Sequence, residues 1–168
     1  MEIVAHPVPH AVTLREKIQM KYKSVVQTIL AIGLVASLPL TAAGPKVTVY
    51  KTSTCGCCGK WVEHLKTNGF DVTVQDVPNT AEYRQKYGVP ETLASCHTAV
   101  VSGYAIEGHV PASDIKRLLK TAPKAKGLAA PGMPAGSPGM EGPRSDEYAV
   151  LLFDAKGNST VFQQHPAK

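Results

Sequence analysis

At 168 residues with 43% hydrophobic content, the chain can build one ordinary globular domain with a real core and is too short for two unless both are small. Its net charge of +5 is mild and no basic stripe is interleaved with aromatic residues, which leaves a nucleic-acid partner without support. Four cysteines are too few for a disulfide-stapled scaffold, and three of them crowd into positions 55–58, where neighbours close no useful loop.

Residues 1–19 show no pattern of their own. Lys21 and Lys23 then precede an apolar run from Val25 to Leu40, and Thr41, Ala42 and Ala43 supply the small residues that a signal peptidase needs. The run contains Gln27 and Pro39 and falls short of the roughly 20 residues that span a bilayer. This favours a cleaved signal peptide within 20–43, starting at the second methionine, Met20, over a membrane anchor. The membrane is met only through this segment, if it stays uncleaved. The expected division is therefore an N-terminal extension and signal peptide at 1–43 and an exported domain at 44–168. Loss of 1–43 removes four basic and two acidic residues and leaves a charge of +3.

Lys46–Tyr50 alternates and is β-branched, which predicts a strand. The cysteine segment TSTCGCCGKW follows at once. From Gly59 onward Trp61, Val62 and Leu65 recur at helical spacing, and Asn68-Gly69 closes that helix as a left-handed cap would. Phe70–Val77 reads as a second strand and Thr80–Tyr87 as a short helix ended by Gly88. After Cys96-His97, Thr98–Val101 and Tyr104–Glu107 form a hairpin about Ser102-Gly103. A helix opened by Pro111 carries Ile115, Leu118 and Leu119. Residues 126–147 form a Gly/Pro-rich loop with two methionines, too long and too biased to be a simple connection. A terminal hairpin at 148–163 extends the sheet edge. The order βαβα then ββα is that of an α/β, thioredoxin-like fold, whose active-site cysteine pair lies between the first strand and first long helix, where Cys55–Cys58 lie.

Cys55 and Cys58 have C-x-x-C spacing at a helix start, where unpaired N–H groups and the dipole favour thiolate. That feature alone points to a thiol-disulfide oxidoreductase with Cys55 as nucleophile and Cys58 as resolving thiol. Two departures oppose it. Where the fold places a cis-proline before its third strand, this chain has Cys96-His97, and Cys57 is a third thiol that would scramble a mixed disulfide. Thiolates at 55, 57, 58 and 96 with nearby imidazole and thioether groups make the soft, electron-rich pocket that copper(I) prefers. Adjacent Cys57 and Cys58 diverge from a helix start, so bridging of more than one copper(I) suits them better than one tetrahedral zinc. The chain is thus read as a metal-binding protein; if it is an enzyme, it is a copper- or thiol-linked oxidoreductase.

The segments VTVYKTSTCGCCGKWVEHLKTNGF, GVPETLASCHTAVVSGYAIEGHVPASDI and GLAAPGMPAGSPGMEG resemble, in order, the exported copper-resistance proteins of the family called domain of unknown function 411, the CopG type. The resemblance runs from about Val47 to Phe162. It implies a thioredoxin-like fold, copper binding through cysteines, a periplasmic location, a suggested redox role and exchange with other periplasmic copper-handling proteins. The metal residues expected are Cys55, Cys57, Cys58, Cys96, His109, Met133 and Met140. His109 stands in the turn before the last helix, which in this fold borders the cysteine pair. Met133 and Met140 sit in a loop with no apolar periodicity to bury them, and such a loop would fold over the cysteines as a lid. His97 is left open, because neighbours on an extended segment point to opposite faces. His64 is expected at the surface and His165 in a frayed tail, while His6 and His10 fall in the removed region. Trp61 is expected in the core or at the site wall.

Overall fold

The computed structural model describes residues 13–19, 21 and 43–167. Apart from residues 21 and 43, the expected signal segment lies outside the described residues. Residues 14–19 are helical, and the Thr13 N–H donates to Glu16 Oε2 at 3.0 Å, half of a capping box that the sequence reading passed over. No helix among the described residues is long and apolar enough to cross a membrane.

From residue 43 the chain forms one compact unit. In chain order it comprises β1 (Lys46–Lys51), α1 (Gly56–Thr67), β2 (Asp71–Asp76), α2 (Ala81–Lys86), a 3-10 turn at Glu91–Leu93, β3 (His97–Val101), β4 (Tyr104–Gly108), α3 (Ala112–Thr121), β5 (Gly127–Ala130), β6 (Tyr148–Phe153) and β7 (Ser159–His165). The strands make a mixed sheet in the order β2-β1-β3-β4-β5-β6-β7. The pairs β1/β2 and β4/β5 are parallel, and the other neighbours are antiparallel.

Side-chain alternation along the central strands fills both faces of this sheet. Ile106, Leu128, Ala130 and Val150 join Trp61 and Leu65 of α1 and Ile115 and Leu118 of α3 in the larger core. Their neighbours Ala105, Ala129 and Phe153 point the other way and pack with Val89 and Leu93. The helix faces follow from spacing: Cys58, Trp61, Val62 and Leu65 of α1 are the buried ones. Its end is a Schellman motif, as Asn68-Gly69 predicts. Gly69 has φ +85°, its N–H reaches Lys66 O at 2.9 Å, and the Phe70 N–H reaches Leu65 O at 3.1 Å.

The sheet departs from the sequence reading at β5. Its residues Gly127–Ala130 were expected to belong to the 126–147 loop, yet they are a strand buried on both faces between β4 and β6. Glycine is required at its first position: a Cβ on Gly127 would stand 1.8 Å from Ala105 O. The composition that imitates a loop is what lets the strands approach. The tail expectation for His165 also fails. His165 ends β7, bonds Asp114 Oδ2 on α3 at 2.7 Å and stacks on Tyr148, so the terminal hairpin is tied down.

Candidate metal centre

The first half of the site is the start of α1. The Cys55 N–H bonds Thr52 O at 3.1 Å, and Cys55 then takes the N-cap position with φ −77° and ψ 93°. The helix begins at Gly56, three residues before the helical spacing suggests, because the two small glycines and two cysteines of its first turn carry no apolar periodicity to read. Cys57 and Cys58 therefore lie in the first turn, beside its unpaired backbone N–H groups. Cys55 and Cys58 are joined as a disulfide with Cα atoms 5.4 Å apart, and Cys57 and Cys96 are free. Cys57 Sγ lies 3.6 Å from Cys55 Sγ.

The second half comes from the bend before β3 and the turn after β4. Cys96 Sγ stands 3.1 Å from His109 Nε2 and 3.4 Å from His97 Nδ1, and its carbonyl lies 3.9 Å from Cys58 Sγ. All four cysteine sulfurs lie within 4.8 Å of one another. The extended N-cap brings Cys55 against Cys57, and Cys96 meets the three helix-start cysteines from the sheet. Cys96, His97 and His109 form a second such group that shares Cys96.

His97 and His109 are fully buried. His109 Nδ1–H donates to Pro138 O at 2.7 Å, which fixes the tautomer and turns the Nε2 lone pair toward Cys96. Burial holds its pKa below the usual imidazole value. Burial, together with facing His109, pushes His97 down to about 3, so both rings are neutral and each keeps a lone pair that could serve a metal. Burial, then the neighbouring Cys57, pushes the Cys96 thiol up to about 11. His97 packs on Trp61 with ring centroids 4.3 Å apart, and Trp61 Nε1–H is anchored on Val110 O at 2.8 Å. The Nε2 of His97 is buried without a hydrogen-bond partner. Sequence reasoning did not place His97, because alternation along a strand does not apply at Cys96, which is a bend and not yet part of β3. The signal that could have found it is the side-by-side Cys-His pair itself.

The Gly/Pro loop lies against both halves. Gly132 N–H bonds Ala94 O at 3.2 Å, and Ser95 Oγ donates to Gly132 O. Gly139, with φ +86°, is seated so closely that a Cβ would come within 2.7 Å of Cys57 O and 3.3 Å of His109 Nδ1. Met133 follows Gly132 and Met140 follows the closely seated Gly139. Met140 is half-buried, whereas Met133 is 55% exposed. His64, expected at the surface, is half-buried, and its Nε2 accepts the Ala112 N–H at 3.1 Å, so it caps α3 in place of a serine or aspartate.

A family model described as "Protein of unknown function, DUF411" matches residues 93–140, a stretch that runs from the 3-10 turn to Met140 and holds Cys96, His97 and His109. Two solved structures are similar over most of the chain. "Copper resistance protein copG- Form 2" is 42% identical with a TM-score of 0.70, covering 73% of this chain and 99% of that one. "Copper resistance protein copG- Form 1" is 43% identical with a TM-score of 0.68, covering 72% and 97%. Among curated proteins, none matches the sequence.

Proposed function

The chain belongs to the DUF411/CopG-type family, and on that premise we propose that it is a periplasmic copper(I)-binding protein of copper resistance, which sequesters or relays copper through its cysteine site. The observation that carries this reading is the set of four sulfurs within 4.8 Å of one another, with a neutral imidazole nitrogen aimed at one of them. Sulfur and imidazole donors without a carboxylate suit copper(I) better than magnesium, calcium or manganese. Cys55, Cys57, Cys58 and Cys96 would hold more than one copper(I), with His109 as a nitrogen donor. Met140 and Met133 would add thioether sulfur from the loop. The His97 Nδ1, 3.4 Å from Cys96 Sγ, supports adding that residue to the donors.

The chain's own thiols govern loading. In the disulfide form two of four sulfurs are withdrawn from metal binding, and two electrons and two protons return them as thiols. Copper then displaces the protons, since thiolate is the ligand. The element order β1-α1-β2-α2 followed by β3-β4-α3 supports a thioredoxin-like arrangement for residues 44–168, and the small residues at 41–43 support export with cleavage near Gly44. Copper passes on this reading to and from other periplasmic copper-handling proteins.

A specific observation favours one rival: the Cys55–Cys58 disulfide at a helix N-terminus is what a thiol-disulfide oxidoreductase needs. Anaerobic copper(I) titration of the reduced protein against a chromogenic chelator separates the two. More than one tightly held copper(I), with a smaller number in Cys57→Ser, supports the copper site. Full loading of Cys57→Ser, with vigorous reduction of insulin by the native protein, supports the oxidoreductase.

A further inference from the structure

Cys96 sits at a bend with no proline to fix its torsion, so something else must aim its sulfur. Behind it lies a buried ion pair. Glu107 of β4 is fully buried and Arg84 of α2 is 7% exposed. Glu107 Oε1 accepts from the Ser95 N–H at 2.7 Å and from Arg84 Nε at 3.1 Å. Its Oε2 accepts from Thr98 Oγ1 at 2.7 Å. One carboxylate thus closes both ends of the tetrapeptide Ser95-Cys96-His97-Thr98. Arg84 completes the clamp by donating to Ser95 O at 3.3 Å, and its outer nitrogen is held by Glu91 at 3.1 Å. Glu107 also stands two residues before His109, so the same strand fixes both partners of the 3.1 Å contact between Cys96 Sγ and His109 Nε2.

A buried ion pair is a poor source of stability, because an apolar pair of similar volume often does as well or better. What this pair supplies is geometry, since its hydrogen bonds converge on one four-residue segment. We propose that Arg84 and Glu107 are positioning residues that hold the Cys96-His97 bend in the geometry of the metal site. The metal part of this inference rests on the copper reading above; the clamp on Cys96 does not.

The test uses the full-length chain. In the metal-free, oxidised protein Cys57 and Cys96 are the free thiols, so their alkylation by iodoacetamide, followed by peptide mass spectrometry, gives the Cys96 rate with Cys57 as internal reference. The double variant Arg84→Met/Glu107→Leu replaces the pair by apolar groups. It is expected to melt near the native temperature, to alkylate Cys96 several-fold faster relative to Cys57, and to bind copper(I) about 10–100-fold more weakly, as loss of a ligand's support does. Glu107→Gln keeps an acceptor for Ser95 and an amide for Thr98 and is expected to restore both readouts. A double variant that melts, alkylates and binds copper like the native protein overturns the proposal. Should that variant not fold, Thr98→Val decides: it removes one donor to the carboxylate, and an unchanged Cys96 rate overturns the proposal while a raised one supports it. If no form binds copper, the copper reading fails and the alkylation ratio still judges the clamp.

Discussion

The two walls of the cysteine-histidine cluster are built on opposite terms. The α1 wall packs three cysteines into one helix turn, with Cys55 and Cys57 partly exposed and two of the three sulfurs able to pair as a disulfide. The sheet wall draws Cys96, His97 and His109 from segments 13 residues apart, buries both rings and fixes each element by hydrogen bonds. One wall can change its redox state, and the other is held rigid. On the copper reading proposed above, loading would respond to thiol chemistry on one side without loss of the template on the other.

The largest effect should come from the sheet wall, because Cys96 belongs to both donor groups. Cys96→Ala is expected to weaken copper(I) binding beyond the roughly 100-fold ceiling of outer-shell losses. Cys57→Ser should lower the number of ions bound while sparing those on the sheet side. Competition titrations of the two variants, run side by side, check the ranking, and a larger loss for Cys57→Ser would reverse it.

The loop glycines sharpen the contrast in a second way. Gly139→Ala puts a Cβ at φ +86° and 2.7 Å from Cys57 O, so it should cost about 1–3 kcal/mol in urea unfolding and lift the loop from both walls. Gly132→Ala has φ +69° but meets nothing within 4 Å, so only the conformational cost of about 1 kcal/mol is expected. Equal losses would mean that the seat against Cys57 is not what orders the loop.

Acid should attack the sheet wall first. His97 is buried neutral, with its pKa depressed to about 3 from an unfolded value near 6.5. Below pH 6.5 the unfolded chain therefore binds a proton that the folded chain refuses. The stability is present above that value and is lost as pH falls toward 3. His109 and His64 add to the same slope, both being lowered by burial. Metal-free His97→Phe should show a shallower fall in unfolding free energy between pH 6.5 and 4, read by denaturant titration. An unchanged slope would place the acid sensitivity elsewhere. The smallest effect is expected far from both walls. Arg117 lies over the Phe162 ring at 3.8 Å, and Arg117→Ala should cost about 0.5–1 kcal/mol without altering copper binding.

How much of this was legible depended on the range of the signal. The α1 wall was readable because its cysteines are neighbours in sequence, and the alternating strands and the Asn68-Gly69 cap follow from local rules. The sheet wall was half readable: Cys96 and His109 stood out as residues, but His97 was hidden by an alternation rule that a bend suspends. Strand β5 was missed because close packing and loop composition both select glycine and alanine. Arg84 and Glu107 lie 23 residues apart and pair only once the sheet brings β4 beside the bend. His165 resembled a tail residue until α3 supplied Asp114.

The most direct measurement is copper K-edge X-ray absorption of the reduced, copper(I)-loaded protein, compared with Cys57→Ser and His109→Ala. Two walls acting on shared copper predict a sulfur-dominated first shell with a copper–copper vector in the native protein. Sulfur and that vector should diminish in Cys57→Ser, and the nitrogen contribution should fall in His109→Ala. A shell of nitrogen and oxygen alone, or spectra identical in all three proteins, would contradict the account.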